Sequence, residues 1–493
     1  MRYFSTRGHA DPIAAKEAIL KGLADDGGLF VPEQMPEKID ISRLSDLSYG
    51  DLAQMILSRF FDDYAAGELS SCINGAYSAM NFDTLAIAPS IVLDEAASVL
   101  ELWHGPTCAF KDLALTILPR LLTTAYNDQK QTGTVAILTA TSGDTGKAAL
   151  AGFADVPHTA ITVFYPRNGV SPIQELQMRT SPGKNVNVIA VNGNFDDCQR
   201  LVKEAVSRVH LPSGVRLCSA NSINIGRLVP QIVYYFAAYQ DLLKQKKIAP
   251  GEKVLFVVPT GNFGDILAGW LAKQIGLPVK KLICASNSNR VLTDFLESGT
   301  YSIHRPFHVT MSPSMDILIS SNLERLLYFK SNGDSAFVET CMGQLSAAGQ
   351  YTVPATMLES IRQDFGGYSC SEEQCAEEIR NTWNKHHYLM DPHTAVAAEG
   401  LRQYREASGD HTQAVILSTA SPYKFAGNVL KAVNGSIVSD PFAAMDRLSE
   451  ETGTKVPSPL ARLASLPLRF DRTIEVKDGI DLIQKQMEEL AHD

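Results

Sequence analysis

The spacing of apolar residues along this chain changes at about residue 90. Before that point, Ala14 to Leu23 and Leu52 to Phe61 carry apolar residues at helical intervals. The turn Asp25-Asp26-Gly27-Gly28 leads into the short apolar run Leu29-Phe30-Val31-Pro32. The first eighty or so residues therefore read as a separate, mainly helical unit. Beyond residue 90, short β-branched runs alternate with helical patterns. Val135-Ala136-Ile137-Leu138 precedes a Gly-rich turn and a small-residue helix, Thr145 to Phe153. Thr159 to Phe164 and Val186 to Val191 read as the next strands, and a helix from Asp196 to Val209 follows. Val254 to Val258 runs through a second Gly-rich turn into a helix from Ile266 to Ile275. Lys281 to Ala285 and, much later, Ala414 to Leu417 complete the strand-like runs. Apolar strands joined through helices are covered on both faces, which predicts parallel sheets and an α/β fold.

Length and composition narrow the class. The 493 residues correspond to roughly three domains. With 45% hydrophobic and 20% charged residues, the chain can bury a large core and is not a disordered protein. Its formal net charge of -10, without a basic block, argues against nucleic acid or an anionic membrane as partner. The eight cysteines are scattered singly, which reads as reduced thiols in a reducing compartment, here the cytoplasm. The N-terminal residues show no apolar signal core, and uncharged stretches such as Thr340 to Leu358 are broken by Gly, Gln and Pro. His386, His387, Asp391 and His393 lack the spacing of a helical zinc site, and Asp391-Pro392-His393-Thr394 reads as a helix start, so no metal is expected.

Ligands of parallel α/β sheets sit beyond the carboxyl ends of strands. Three turns at such positions are rich in Gly, Ser and Thr: Ala140 to Gly146, Pro259 to Asp265, and Ser418-Thr419-Ala420-Ser421-Pro422. The first two could present amides and a helix N-terminus to a phosphate or carboxylate, or could simply be tight turns that use glycine. Neither has the spacing of a P-loop or a dinucleotide fingerprint. In the third, Ser421 before Pro422 suits a helix cap, which leaves Thr419 without an obvious structural task. Lys111 stands out as well, because it precedes the apolar run Leu113 to Leu122. It is either a snorkelling surface lysine or a buried amine of lowered pKa, the kind that forms Schiff bases.

His104-Gly105-Pro106-Thr107 followed by Ala109-Phe110-Lys111-Asp112 resembles the cofactor-lysine motif of threonine synthases, pyridoxal-phosphate enzymes of fold type II. The similarity runs along the chain. It takes in Ser5-Thr6-Arg7-Gly8, Gly22 to Glu33, Thr141 to Gly146, Asn221-Ser222-Ile223-Asn224, Gly261 to Asp265, Pro313 to Ile317, Asn322 to Arg325 and Asp391 to Thr394. The long form, with an insertion at about 290–375, is similar to the bacterial and fungal branch.

The resemblance implies a tryptophan synthase β-like architecture: an N-terminal domain over 1–85, a large cofactor-binding domain over 86–129 and 226–493, and a small α/β domain over 130–225. It implies that Lys111 carries pyridoxal 5'-phosphate covalently. Gly261, Asn262, Phe263, Gly264 and Asp265 would cradle the cofactor phosphate, and Thr419 would face the ring nitrogen. Ser142, Asp144, Thr145 and Asn221 would meet the substrate, although related enzymes carry Asn in place of Asp144. Arg227 or Lys147 would supply a cation for the substrate phosphate. The implied reaction makes L-threonine and phosphate from O-phospho-L-homoserine and water, in a monomer or small homo-oligomer. Two alternatives stay open: a threonine synthase-like phospho-lyase that stops after elimination, and a non-catalytic phosphate- or amino-acid-binding protein.

Overall fold

A computed structural model of the chain describes residues 1–44 and 46–491. Two parallel sheets organise it. The larger has six strands in the order Phe365–Ser369, Val279–Ser286, Val254–Pro259, Ala414–Ser418, Ala97–Glu101 and Ser90–Val92. All neighbours are parallel except the last pair. Its central strands are buried along their whole length, as continuous apolar runs demand. The helix Pro392–Ser408 packs across one face of this sheet.

The smaller sheet has five parallel strands in the order Thr473–Glu475, Val186–Asn192, Thr159–Pro166, Thr134–Ala140 and Val215–Ser219. Helices Asp144–Phe153 and Phe195–Arg208 lie against it. Every strand read from the apolar pattern is present, extended by one to three residues.

Two segments depart from the expected division. The 290–375 segment is not wholly an insertion, because its last strand, Phe365–Ser369, forms the edge of the large sheet. Gly366 and Gly367 leave this strand without an apolar alternation. A side chain at Gly367 would press on Thr293 Cα at 3.1 Å, so glycine admits the neighbouring helix Val291–Ser298. The C-terminal tail, expected with the large domain, returns to the small one. There Thr473–Glu475 pairs with Val186–Asn192, and helix Gly479–Leu490 buries Leu482, Ile483 and Met487 in that domain's core.

The N-terminal segment holds helices Ala15–Lys21, Tyr49–Phe60 and Ala66–Ala76 beside a small antiparallel sheet of Ile13–Ala14, Arg2–Ser5 and Phe30–Pro32. Ser48 and Asp51 form a reciprocal cap on the second helix. The wholly buried Arg325 ties this segment to the rest of the chain. Its guanidinium donates to Phe30 O at 3.0 Å, to Ile223 O at 2.6 Å and to Asn322 Oδ1 at 2.5 Å.

Candidate active site

The turns after Ala140, Pro259 and Ser418 converge on one cleft between the two sheets, at the carboxyl ends of their strands. Lys111 reaches it from the segment that follows Ala97–Glu101. The cleft brings together Lys111, Asp144, Thr145, Asn221, Arg227, the whole turn Gly261 to Asp265, and Thr419. Ser142 is half-buried on its loop and is not among the lining residues. Lys147 also lies outside the cleft, where its amine donates to Ser181 Oγ at 3.2 Å.

Lys111 caps a four-residue helix, Asp112–Leu115, and the expected longer apolar helix starts again only at Leu118. So short a helix has little dipole to act on the amine. Burial is the main cause that brings Lys111 from an ordinary 10.5 down to about 8. Asp144 pulls it back up, while Lys424 and Arg227 add to the fall. Its amine sits 4.4 Å above the Phe110 ring and 3.7 Å from Asp144 Oδ2.

Facing it, the turn from Gly261 to Phe263 ends at the N-terminus of helix Gly264–Gln274, with Phe263 at a left-handed φ of 61°. The backbone N–H groups of Gly261, Asn262 and Phe263 find no acceptor among the described residues. Their carbonyls and flanks are held from behind. Ser320 Oγ donates to Gly261 O at 2.7 Å, and both nitrogens of Asn322 donate to Asn262 O, at 3.0 and 3.1 Å. A Cβ at Gly261 would come within 3.0 Å of Ser314 O. Free amides on a turn at a helix N-terminus can cradle a phosphate.

Three buried polar side-chain atoms in this cleft have no hydrogen-bond partner among the described residues: Arg227 Nε, Asn262 Oδ1 and Asp265 Oδ2. Arg227 is otherwise held by donation to Ala220 O at 2.9 Å, and burial lowers it only to about 10, so it stays cationic at neutral pH. The hydroxyls of Tyr234 and Tyr235 donate to Asp265 Oδ1 at 2.6 and 2.8 Å, yet burial still lifts that carboxyl to about 6. Unsatisfied polar atoms beside free amides and a buried amine fit a polar, phosphorylated ring compound such as pyridoxal phosphate. Thr419 completes the set. It is buried and its carbonyl accepts from Phe110 N at 2.8 Å, while its hydroxyl has no partner among the described residues.

Asp144 is held by several partners within the protein. Burial alone would raise its carboxyl, but Lys424 and Lys111 hold it well below the usual carboxylate range. Lys424 donates to Oδ1 at 2.5 Å, Gln174 Nε2 to Oδ1 at 2.9 Å, and Ser314 Oγ to Oδ2 at 3.2 Å. A fixed anion is ill suited to receive a substrate carboxylate; Thr145 and Asn221, on either side, carry no such charge. The glycine at 143 adopts φ 133°, and a Cβ there would meet the Gln174 amide at 2.4 Å.

Lys424 and Gln174 carry no signal in the sequence, because each arrives from a distant segment; Ser314 and His393 fall within the singled-out stretches Pro313 to Ile317 and Asp391 to Thr394. His393 lines the cleft: the Ser314 N–H donates to its Nε2 at 3.2 Å, and its Nδ1 lies 2.7 Å from Asp391 Oδ1. Asp391 caps helix Pro392–Ser408, as its sequence context predicts. The motif Pro313-Ser314 was the available pointer to Ser314; nothing local marks Lys424.

Known proteins resemble this chain in sequence and fold. The family model for the threonine synthase N terminus matches residues 2–77, that for pyridoxal-phosphate-dependent enzymes residues 99–419, and that for the threonine synthase C-terminal region residues 394–484. Threonine synthase of Pseudomonas aeruginosa is 39% identical over 467 residues, which is 94% of this chain and 97% of that protein. Threonine synthase-like 1 of Macaca fascicularis is 40% identical over 435 residues, 85% of this chain and 58% of that protein. The crystal structure of pyridoxal-phosphate-bound threonine synthase from Brucella melitensis superposes with a TM-score of 0.85 at 36% identity, covering 100% of both chains. By sequence along its length and by fold, this chain belongs to the threonine synthase family of pyridoxal-phosphate-dependent enzymes.

Proposed function

We propose that this chain converts O-phospho-L-homoserine and water to L-threonine and inorganic phosphate. The observation that carries the proposal is a single cleft in which a largely buried amine, Lys111, faces a turn of free backbone amides at Gly261 to Phe263. The turn from Gly261 to Asp265 would hold the cofactor phosphate, Thr419 would face the ring nitrogen, and Lys111 would hold the cofactor covalently. Bound there, pyridoxal phosphate supplies a sink for the electrons released at the substrate's α carbon.

The remaining work falls to side chains of the protein. A lysine lowered to about 8 gives up its proton far more readily than an ordinary lysine at 10.5. Once released, Lys111 is the group placed to take the proton from Cα and then one from Cβ, and to return a proton at Cγ. In the net reaction the Cγ–O bond to phosphate breaks, hydroxyl from water joins Cβ, and Cγ gains hydrogen. Arg227, cationic with an unpartnered Nε, is the candidate for the leaving phosphate. Thr145 and Asn221 are the candidates for the substrate carboxylate. Burial of the cleft excludes water until it is needed.

An acidic chain without a basic block suits a small-molecule substrate rather than nucleic acid or an anionic membrane. Among the described residues no helix is long and apolar enough to cross a membrane. Eight buried, unpaired cysteines suit the cytoplasm. A monomer or small homo-oligomer accommodates a cleft formed within one chain.

The alternative reading is elimination of phosphate without hydration. Incubation with phosphohomoserine, following threonine and phosphate together, separates the two. Equal amounts support the synthase, phosphate with a keto acid supports the phospho-lyase, and neither product refutes both. Lys111→Ala should lose the cofactor's visible absorbance on dialysis; retained absorbance would remove Lys111 from its role.

A further inference from the structure

Asp144, which lines the cleft, is paired with a charge that the reaction outlined above does not use. Lys424, one turn past Thr419, is completely buried, with 0% of its side chain exposed. It belongs to the short helix Pro422–Phe425, and its amine has two partners: Asp144 Oδ1 at 2.5 Å and Thr107 O at 3.0 Å. Thr107 is itself clamped, since its N–H and hydroxyl donate to Asp112 Oδ2 and Oδ1 at 2.8 and 2.6 Å. The loop that ends at Lys111 therefore also grips Lys424.

We propose that Lys424 is a positioning residue for the amine at 111. It acts as the standing counter-ion of Asp144 and, by occupying that carboxylate, leaves Lys111 free to give up its proton. The inference rests on the reading of Lys111 as the reactive amine, and it adds to that reading the group that keeps the amine reactive.

The geometry supports an unequal sharing of Asp144. Two cations approach one carboxylate, Lys424 at 2.5 Å and Lys111 at 3.7 Å. Oδ1 is further engaged by Gln174 and Oδ2 by Ser314, which fixes the carboxylate plane and holds Oδ2 away from closer contact with Lys111. Other charged or titratable groups near Lys111 are Arg227 and Asp265, from the far wall of the cleft. His393, near Asp144, has both ring nitrogens engaged by Ser314 and Asp391. With Lys424 in place, a proton on Lys111 makes a second cation beside a carboxylate that is already neutralised. Without it, Lys111 becomes the one lysine paired with a buried anion, and that pairing holds the proton on the amine.

The test uses cofactor-free full-length protein and does not depend on turnover. Competitive acetylation with acetic anhydride across pH 6 to 11, read by mass spectrometry of the Lys111 peptide, gives the midpoint at which the amine becomes reactive. In K424M that midpoint should rise so that reactivity at pH 8 falls at least tenfold, while K424R, which keeps the charge, stays within threefold of wild type. A K424M profile within threefold of wild type overturns the proposal. If K424M does not fold, D144N/K424M removes both charges together. Its midpoint should lie at or below that of wild type, and a tenfold upward shift overturns the proposal equally. Failure of the phosphohomoserine assay would leave these labelling profiles intact, so the two readings can fail separately.

Discussion

Replacing Lys111 by methionine should make the cofactor-free protein more stable at neutral pH. The reasoning starts from the burial of the amine, whose side chain is 12% exposed. Folding lowers its pKa from 10.5 to about 8. Below pH 8 the amine is charged in both states, and the folded state bears the full cost of that charge. Between 8 and 10.5 the unfolded chain binds the proton more tightly, so the stability of the wild type rises with pH. Above 10.5 neither state is charged and the cost is gone. At about 1.4 kcal/mol per factor of ten, the penalty is about 3 kcal/mol at pH 7 and falls below about 1 kcal/mol at pH 10. Methionine fills a similar volume without the charge, so K111M should exceed wild type by about 3 kcal/mol at pH 7 and converge on it at pH 10. Paired urea titrations of the two dialysed proteins at each pH measure the difference, and other alkaline titrations cancel between them. A wild type as stable as K111M at pH 7, or a gap that does not close by pH 10, would refute the claim that the site stores energy in a buried amine.

Further predictions concern the shell around that amine. Tyr235→Phe removes the hydroxyl that donates to Asp265 Oδ1 at 2.8 Å and to Asp265 O at 2.9 Å, and should cost about 1–2 kcal/mol, read as a lower melting temperature. Gly143→Ala places a methyl 2.4 Å from the Gln174 amide at a backbone angle that alanine resists, so Gln174 should release Asp144 and kcat should fall at least about tenfold with the protein still folded by circular dichroism. Arg227→Met should raise KM for phosphohomoserine at least about tenfold, in keeping with the loss of a charge-assisted contact; an unchanged KM would remove Arg227 from the phosphate site.

The apolar runs Val135 to Leu138, Val254 to Val258 and Ala414 to Leu417 announced buried parallel strands because no other element explains so short and so apolar a stretch between turns. Phe365–Ser369 gave no such signal. Two glycines interrupt it, and it is a strand only because Val279–Ser286 offers it an edge. Thr473–Glu475 is three residues long and owes its existence to a partner 283 positions earlier, the Asn192 that pairs with Glu475. Local pattern holds no information about such pairings.

The active-site residues divide in the same way. The residue types at Lys111, Gly261 to Asp265 and Thr419 could be read in place, because a glycine turn after a strand and a lysine before an apolar run are local patterns with chemical consequences. The choice between a surface lysine and a buried base was not local. It depends on how much water the packed sheets exclude from the amine, and on which ions share its cleft. Lys424 and Asp144 are 280 residues apart, and Ser314 approaches the same carboxylate from 170 residues away. A sequence determines which side chains are available and which backbone turns they ride on. Only the folded chain decides distances, desolvation and the sharing of one carboxylate between two amines, because those energies depend on separation in space and on the dielectric, neither of which is a property of a sequence neighbourhood.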